Sequence, residues 1–276
     1  MSNQHDEPPE YLKTDNPRGG ENVEPRELAS ALLHDLDYDA QIMAIRILLF
    51  QHREADEKHT DEIKRLDEYC KSPGHHSERA VDEWVDLLHS SVYQEAAHSM
   101  AAVGMLAPLV ESMFFGAFYK VREHFFPADS LHSNHPRWNV SAKEQWDCHF
   151  FYDKQGKRQK DLANGIMDLA DAVGLTPHLP SDLKPTLQAL FTYRNRMFHF
   201  GLEWPVDERQ RFAGHISQSI SNEGWSSDWI EKSTSDGIPW IFYLTDKFVD
   251  HCLNSIDHVV EGMGIYVEEQ LARRNK

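Results

Sequence analysis

A chain of 276 residues suits one large domain, or one domain with a substantial extension, and a 40% apolar content is enough for a folded core. The 28 Lys and Arg stand against 45 Asp and Glu, a net charge of −17. That argues against a protein that coats long nucleic acids, because phosphate attraction supplies most nonspecific affinity. A local catalytic pocket stays compatible, since residues 121–211 hold twelve acids and twelve bases and are the one stretch that is not acidic.

In chain order, residues 1–24 are rich in Pro, Gly, Asn and acids and read as a disordered leader. Their start, Met1-Ser2-Asn3-Gln4, lacks the apolar run of a secretory signal. Residues 25–71 read as helical. Ile42, Ile45, Leu49, Ile63, Leu66 and Cys70 fall on one face of a long helix, with a polar middle between its apolar ends. Such a helix packs well only at its ends, and it serves either as an edge helix of its own subunit or as an arm toward a partner chain. Ser72-Pro73-Gly74 breaks the chain, and Ser77 is placed to cap the next helix, which continues to about Phe126. From Met100 to Val121 this segment is apolar nearly all round, as in the central helix of a bundle. Pro108 and Glu111 interrupt the run, so a membrane span is not expected. Glu111 is either a carboxylate at a bundle edge or a partner for an arginine or histidine of a site.

Residues 127–156 read as a loop-rich insertion, with a short helix from Ser141 through Trp146. Cys148-His149 pairs a nucleophile type with a base type, but sequence neighbours do not face each other on a helix or a strand. Residues 157–173 read as a helix stopped by Gly174, and a helix capped by Ser181 runs to about Phe200. Pro205 opens another, to about Asn222. Trp225, Trp229 and Trp240 and the strand-like run Ile238–Leu244 form an aromatic loop or hairpin, read as a core lid or dimer contact ahead of base stacking. Thr245 caps the last helix, which runs to near Ala272. His251 and His258 lie two turns apart, too far for easy sharing of one metal ion. Cys70, Cys148 and Cys252 are isolated, which fits a reducing cytosol and neither a disulfide scaffold nor a Cys-ligated metal. No metal site and no cofactor are expected: G-x-G-x-x-G, P-loop and H-E-x-x-H patterns are missing from the sequence.

The chemistry concentrates in Tyr193-Arg194-Asn195-Arg196-Met197-Phe198-His199-Phe200-Gly201, at the end of a helix. Arg194 and His199 lie about 1.4 turns apart and point to neighbouring sectors, and Asn195 lies close to the line through His199. A guanidinium that forks phosphate oxygens, an imidazole that moves a proton near neutral pH and an amide that orients either are sufficient for phosphodiester chemistry without a metal. This pattern resembles the signature of the HEPN superfamily: an arginine followed by a polar residue, then a histidine after four to six positions. The resemblance spans about residues 94–265 as an architecture and this short motif as specific sequence.

The resemblance implies an all-α fold with a four-helix-bundle core, a homodimer, and a metal-independent endoribonuclease of toxin or antiviral-defence type. His199 would be general acid/base, Arg194 would hold the scissile phosphate, and Asn195 would orient one of them. Two copies of the motif would meet in a composite site, and cleavage would leave a cyclic phosphate and a 5′-hydroxyl. Arg196, Glu111 and Arg209 are the candidates for substrate binding. The expected organisation is a leader (1–24), an N-terminal helical extension (25–93) and a HEPN-like helical domain (94–276). The expected setting is the cytoplasm, with RNA as substrate and an antitoxin or regulatory protein as a further partner. The alternative is a catalytically inactive helical adaptor, in which Arg194 pairs with Glu111 or Glu203 and His199 bonds the last carbonyls of its own helix.

Overall fold

A computed structural model describes residues 23–33, 37–72, 78–126, 135–141, 144–153 and 155–274. Residues 1–22 of the leader (1–24) and the Ser77 cap lie outside them. The described residues are mostly helical, with seven α-helices and two small antiparallel hairpins. The order is α1 (Pro25–Leu33), α2 (Tyr38–Lys71), α3 (Glu78–Phe125), β1 (Phe150–Tyr152), β2 (Arg158–Lys160), α4 (Leu162–Val173), α5 (Leu183–Phe200), α6 (Val206–Asn222), β3 (Ile230–Ser235), β4 (Ile238–Leu244) and α7 (Asp246–Arg274).

The chain divides into two compact units made of interleaved stretches. One takes Met1–Tyr38, Val110–Ser181 and Ser255–Lys276, and is called the insertion unit below because it holds residues 127–156. The other takes Asp39–Leu109 and Asp182–Asn254, and is called the motif unit because it holds Arg194 and His199.

In the insertion unit, the second part of α3 buries Val110, Met113, Phe114, Ala117, Phe118 and Val121. That fits an apolar helix lying inside a core. Gly262 and Gly264 of α7 allow two close approaches: a Cβ at Gly262 would stand 1.9 Å from the His178 carbonyl oxygen, and one at Gly264 would stand 1.7 Å from that of Pro25. α4 starts later than its sequence pattern suggests. Asp161 takes an extended backbone and its carboxylate accepts from the Asn164 N–H at 2.8 Å, so the helix begins at Leu162. The preceding residues instead form β2, paired with β1 in the register Phe150↔Lys160 and Tyr152↔Arg158. Of the short helix expected from Ser141 through Trp146, Glu144–Trp146 form a turn, the Ser141 hydroxyl bonds the Glu144 carboxylate at 2.8 Å, and residues 142–143 lie outside the described residues. The stop at Gly174 is as expected, in the left-handed region at φ 77°.

In the motif unit, α2 buries Ile42, Ile45 and Leu49 near its start. Ile63, Leu66 and Cys70 at its far end are only half-buried. α5 begins at Leu183, with Asp182 rather than Ser181 at the cap position. The run Ile238–Leu244 is a strand, paired with β3, and Trp225 and Trp229 are buried. The Tyr193 hydroxyl donates to the Phe242 carbonyl at 2.8 Å, and the Leu244 N–H donates to Ser99 Oγ at 2.8 Å, tying the hairpin to α5 and α3. Thr245 caps α7, accepting from the Phe248 N–H at 3.2 Å. Among the described residues one helix, α3, is long and apolar enough to cross a membrane, and 56% of its most apolar window is buried in the protein, as in a core helix.

Candidate active site at the end of the fifth helix

α5 holds the whole motif. Tyr193 and Met197 are fully buried and fix the rotation of the helix, so Asn195, Phe198, His199 and Phe200 turn outward. Asn195 and His199 are four apart, hence surface neighbours on one helix face. Both are exposed, and neither makes a hydrogen bond or ion pair among the described residues. Phe198 is 58% exposed, an apolar flank beside the imidazole. Arg194 is half-buried, its guanidinium carbon 5.5 Å from the centroid of the buried Phe191 ring. The helix ends at Gly201, whose φ of 73° suits glycine and whose N–H bonds the Met197 carbonyl at 2.8 Å. His199 stands in the last turn of the helix.

The other basic candidates are engaged locally. Arg196 Nη1 bonds Glu208, and Arg211 donates to the same Glu208 at 2.5 Å and to Asp207 at 2.9 Å. Arg209 donates to the Trp204 carbonyl and, at 2.9 Å, to Glu203. Glu203 is a hub: it also accepts from the Tyr93 hydroxyl at 2.7 Å and Trp240 Nε1 at 2.9 Å. The bond from Tyr93, then that from Trp240, holds its carboxyl below the usual carboxylate range. His89 completes the cluster, 4.9 Å from the Trp240 ring. Glu111 belongs to the insertion unit, where its carboxylate meets His149 Nε2 at 3.1 Å.

Two features of the motif unit were not foreseen from sequence. The Glu203 hub joins residues 110 and 37 positions apart, and no local pattern announces it. The second is a cavity of about 200 Å³ lined by Asp56, Glu95, His98, Glu231, Tyr243 and Asp246. Burial, then the charges of Asp56, Asp246 and Glu231, push the Glu95 carboxyl up to about 7. Its four carboxylates repel phosphate, so its chemistry is unlike that of the motif. Cys148 is not a nucleophile: it is fully buried, and burial pushes its thiol up to about 12. Among the described residues, no group of three or more His, Cys, Asp or Glu is placed to hold a metal ion. His251 instead meets Thr186 Oγ1 at 2.9 Å.

Comparison with family models, curated proteins and solved structures finds no match to this chain.

Proposed function

We propose that this chain is a HEPN-like endoribonuclease that cleaves RNA without a metal, in a toxin or defence setting in the cytoplasm. His199 moves the proton between the ribose 2′-hydroxyl and the leaving oxygen. Arg194 holds the scissile phosphate and balances its developing charge, and Asn195 orients the phosphate or the imidazole. In this reading the helices form a bundle of HEPN type and two copies pair, doubling the few cationic groups that an acidic body offers. An antitoxin or regulatory protein would be a further partner.

The observation that carries this reading is the exposure of Asn195 and His199 side by side on the last turns of α5, with Arg194 on the same helix. Proton transfer to substrate needs an imidazole that substrate can reach. The test uses matched RNA and DNA oligonucleotides in EDTA, with analysis of the product ends. The reading expects cleavage of RNA alone and 2′,3′-cyclic phosphate ends. Equal cutting of DNA, or RNA ends without the cyclic phosphate, contradicts it.

A second reading, an inactive adaptor, draws on one observation: Arg196, Arg209 and Arg211 are each balanced by Glu208, Glu203 or Asp207, leaving little net positive charge around the motif. An adaptor would leave every RNA intact and would still bind a basic partner through the acidic surface.

A further inference from the structure

The insertion unit holds a titratable cluster outside the Arg194–His199 motif. His149 stands between two carboxylates: its Nδ1 meets Asp147 Oδ1 at 2.7 Å, and its Nε2 meets Glu111 Oε1 at 3.1 Å. All three side chains are about a third exposed, so protons exchange freely with solvent. A neutral imidazole has one N–H and one lone pair, so it can donate to only one of these carboxylates and must turn its lone pair on the other. The imidazolium donates to both.

We propose that His149 is a proton-operated clasp between Glu111 of α3 and residues 147–150 at the end of the insertion, closed as the imidazolium and opened when it loses its proton. Closed, it joins α3 to the loop whose carbonyls at Asp147 and Phe150 accept from buried Arg137. Open, the neutral imidazole keeps its N–H on the shorter, local bond to Asp147 (2.7 Å) and loses the 3.1 Å bond to Glu111, so the segment leading into β1 is released from α3 while the Arg137 anchor stays.

The surroundings agree. Glu111 from α3 and Asp147 from the loop face the ring, along with the Phe115 ring at 6.4 Å. Arg137 lies behind Asp147, paired with Asp168 of α4 at 2.5 Å, and so contributes little free charge. Asp161 presents its backbone N–H to the His149 carbonyl while its carboxylate caps α4. Burial lowers the pKa of His149, but the bonds to Asp147 and Glu111 outweigh it and raise the pKa above the ordinary histidine range. The sign follows: the clasp contributes its full stability below the ordinary histidine pKa and loses it as pH rises through the raised value.

The test is an NMR titration of the imidazole signals of the full chain, assigned with His149→Gln, together with amide protection of Phe150–Tyr152. The expected midpoint for His149 lies above 6.5. It should fall by about one pH unit in Glu111→Gln and in Asp147→Asn. Protection of Phe150–Tyr152, corrected for intrinsic exchange, should drop as pH crosses the midpoint. A midpoint at or below 6.5 in the parent overturns the proposal, as does a midpoint that Glu111→Gln leaves unchanged. The parent titration decides the matter even if His149→Gln fails to fold.

Discussion

Two arginine–histidine pairs in this chain have opposite surroundings. Arg137 is 2% exposed and bonds the carbonyls of Gln145 (2.7 Å), Phe150 (3.1 Å) and Asp147 (2.5 Å) and the Asp168 carboxylate (2.5 Å), with His149 clamped close by. Arg194 is half-buried, and His199 and Asn195 beside it are exposed, without hydrogen bonds among the described residues. The first arrangement commits four of the five guanidinium N–H donors to the protein itself. The second leaves an imidazole able to meet a substrate. The same residue types are buried in a structural knot in one place, while in the other the histidine and its neighbouring asparagine face outward on a helix.

The largest expected effect breaks the knot. Arg137→Ala should cost about 3–5 kcal/mol, because Asp168 and three carbonyls lose a buried partner. Chemical denaturation with tryptophan and circular-dichroism probes measures it, and a loss under about 1 kcal/mol would mean that Arg137 is not the anchor. Next comes Gly165→Ala. Its Cβ would stand 2.0 Å from the Cys148 carbonyl oxygen and 2.9 Å from that of Phe150, both backbone atoms. Separating α4 from the insertion should cost about 1–3 kcal/mol, read as a lower thermal midpoint.

A smaller effect has the opposite sign. With a Glu95 pKa near 7, raised mainly by burial, the protonated form is favoured in the folded state. Stability is then highest below the unfolded carboxyl pKa and declines as pH rises through about 7. Glu95→Gln should stabilise the protein by about 1 kcal/mol at pH 8, after discounting for the half-exposed position. It should do little at pH 4. Equal effects at both pH values would contradict the account. The smallest effect sharpens the contrast with Arg137: His199→Ala should change stability by less than about 0.5 kcal/mol, as expected for an exposed side chain.

How much of this was legible in sequence depends on how local its causes are. Gly174, Gly201 and Thr245 mark helix ends where they were expected, because caps and left-handed stops act within one turn. The strand at Ile238–Leu244 was also legible from its run of apolar and aromatic residues. β1 and β2 were not. They have three residues each, and Arg158-Gln159-Lys160 reads as a charged helix start until Asp161 is recognised as the cap that sets α4 one turn later.

The candidate site was legible in residue type and helix position. Its charge balance was not. The pairs from Arg196 to Glu208 and from Arg209 to Glu203 depend on how the loop after Gly201 folds back, and Tyr93 reaches Glu203 from 110 positions away. The Arg137 knot draws its partners from the 144–150 loop and from α4 and has no sequence signature at all.

His199 is the proposed reactive group of a metal-independent ribonuclease. The most direct test is cleavage of a mixed-sequence RNA in EDTA by the parent and by His199→Ala, with the folded state and oligomeric state recorded on the same samples. Cleavage by the parent is expected, with a rate about 10²–10⁴ lower in His199→Ala and unchanged stability. Equal cleavage by both proteins, or none by a well-folded parent, would contradict this proposal.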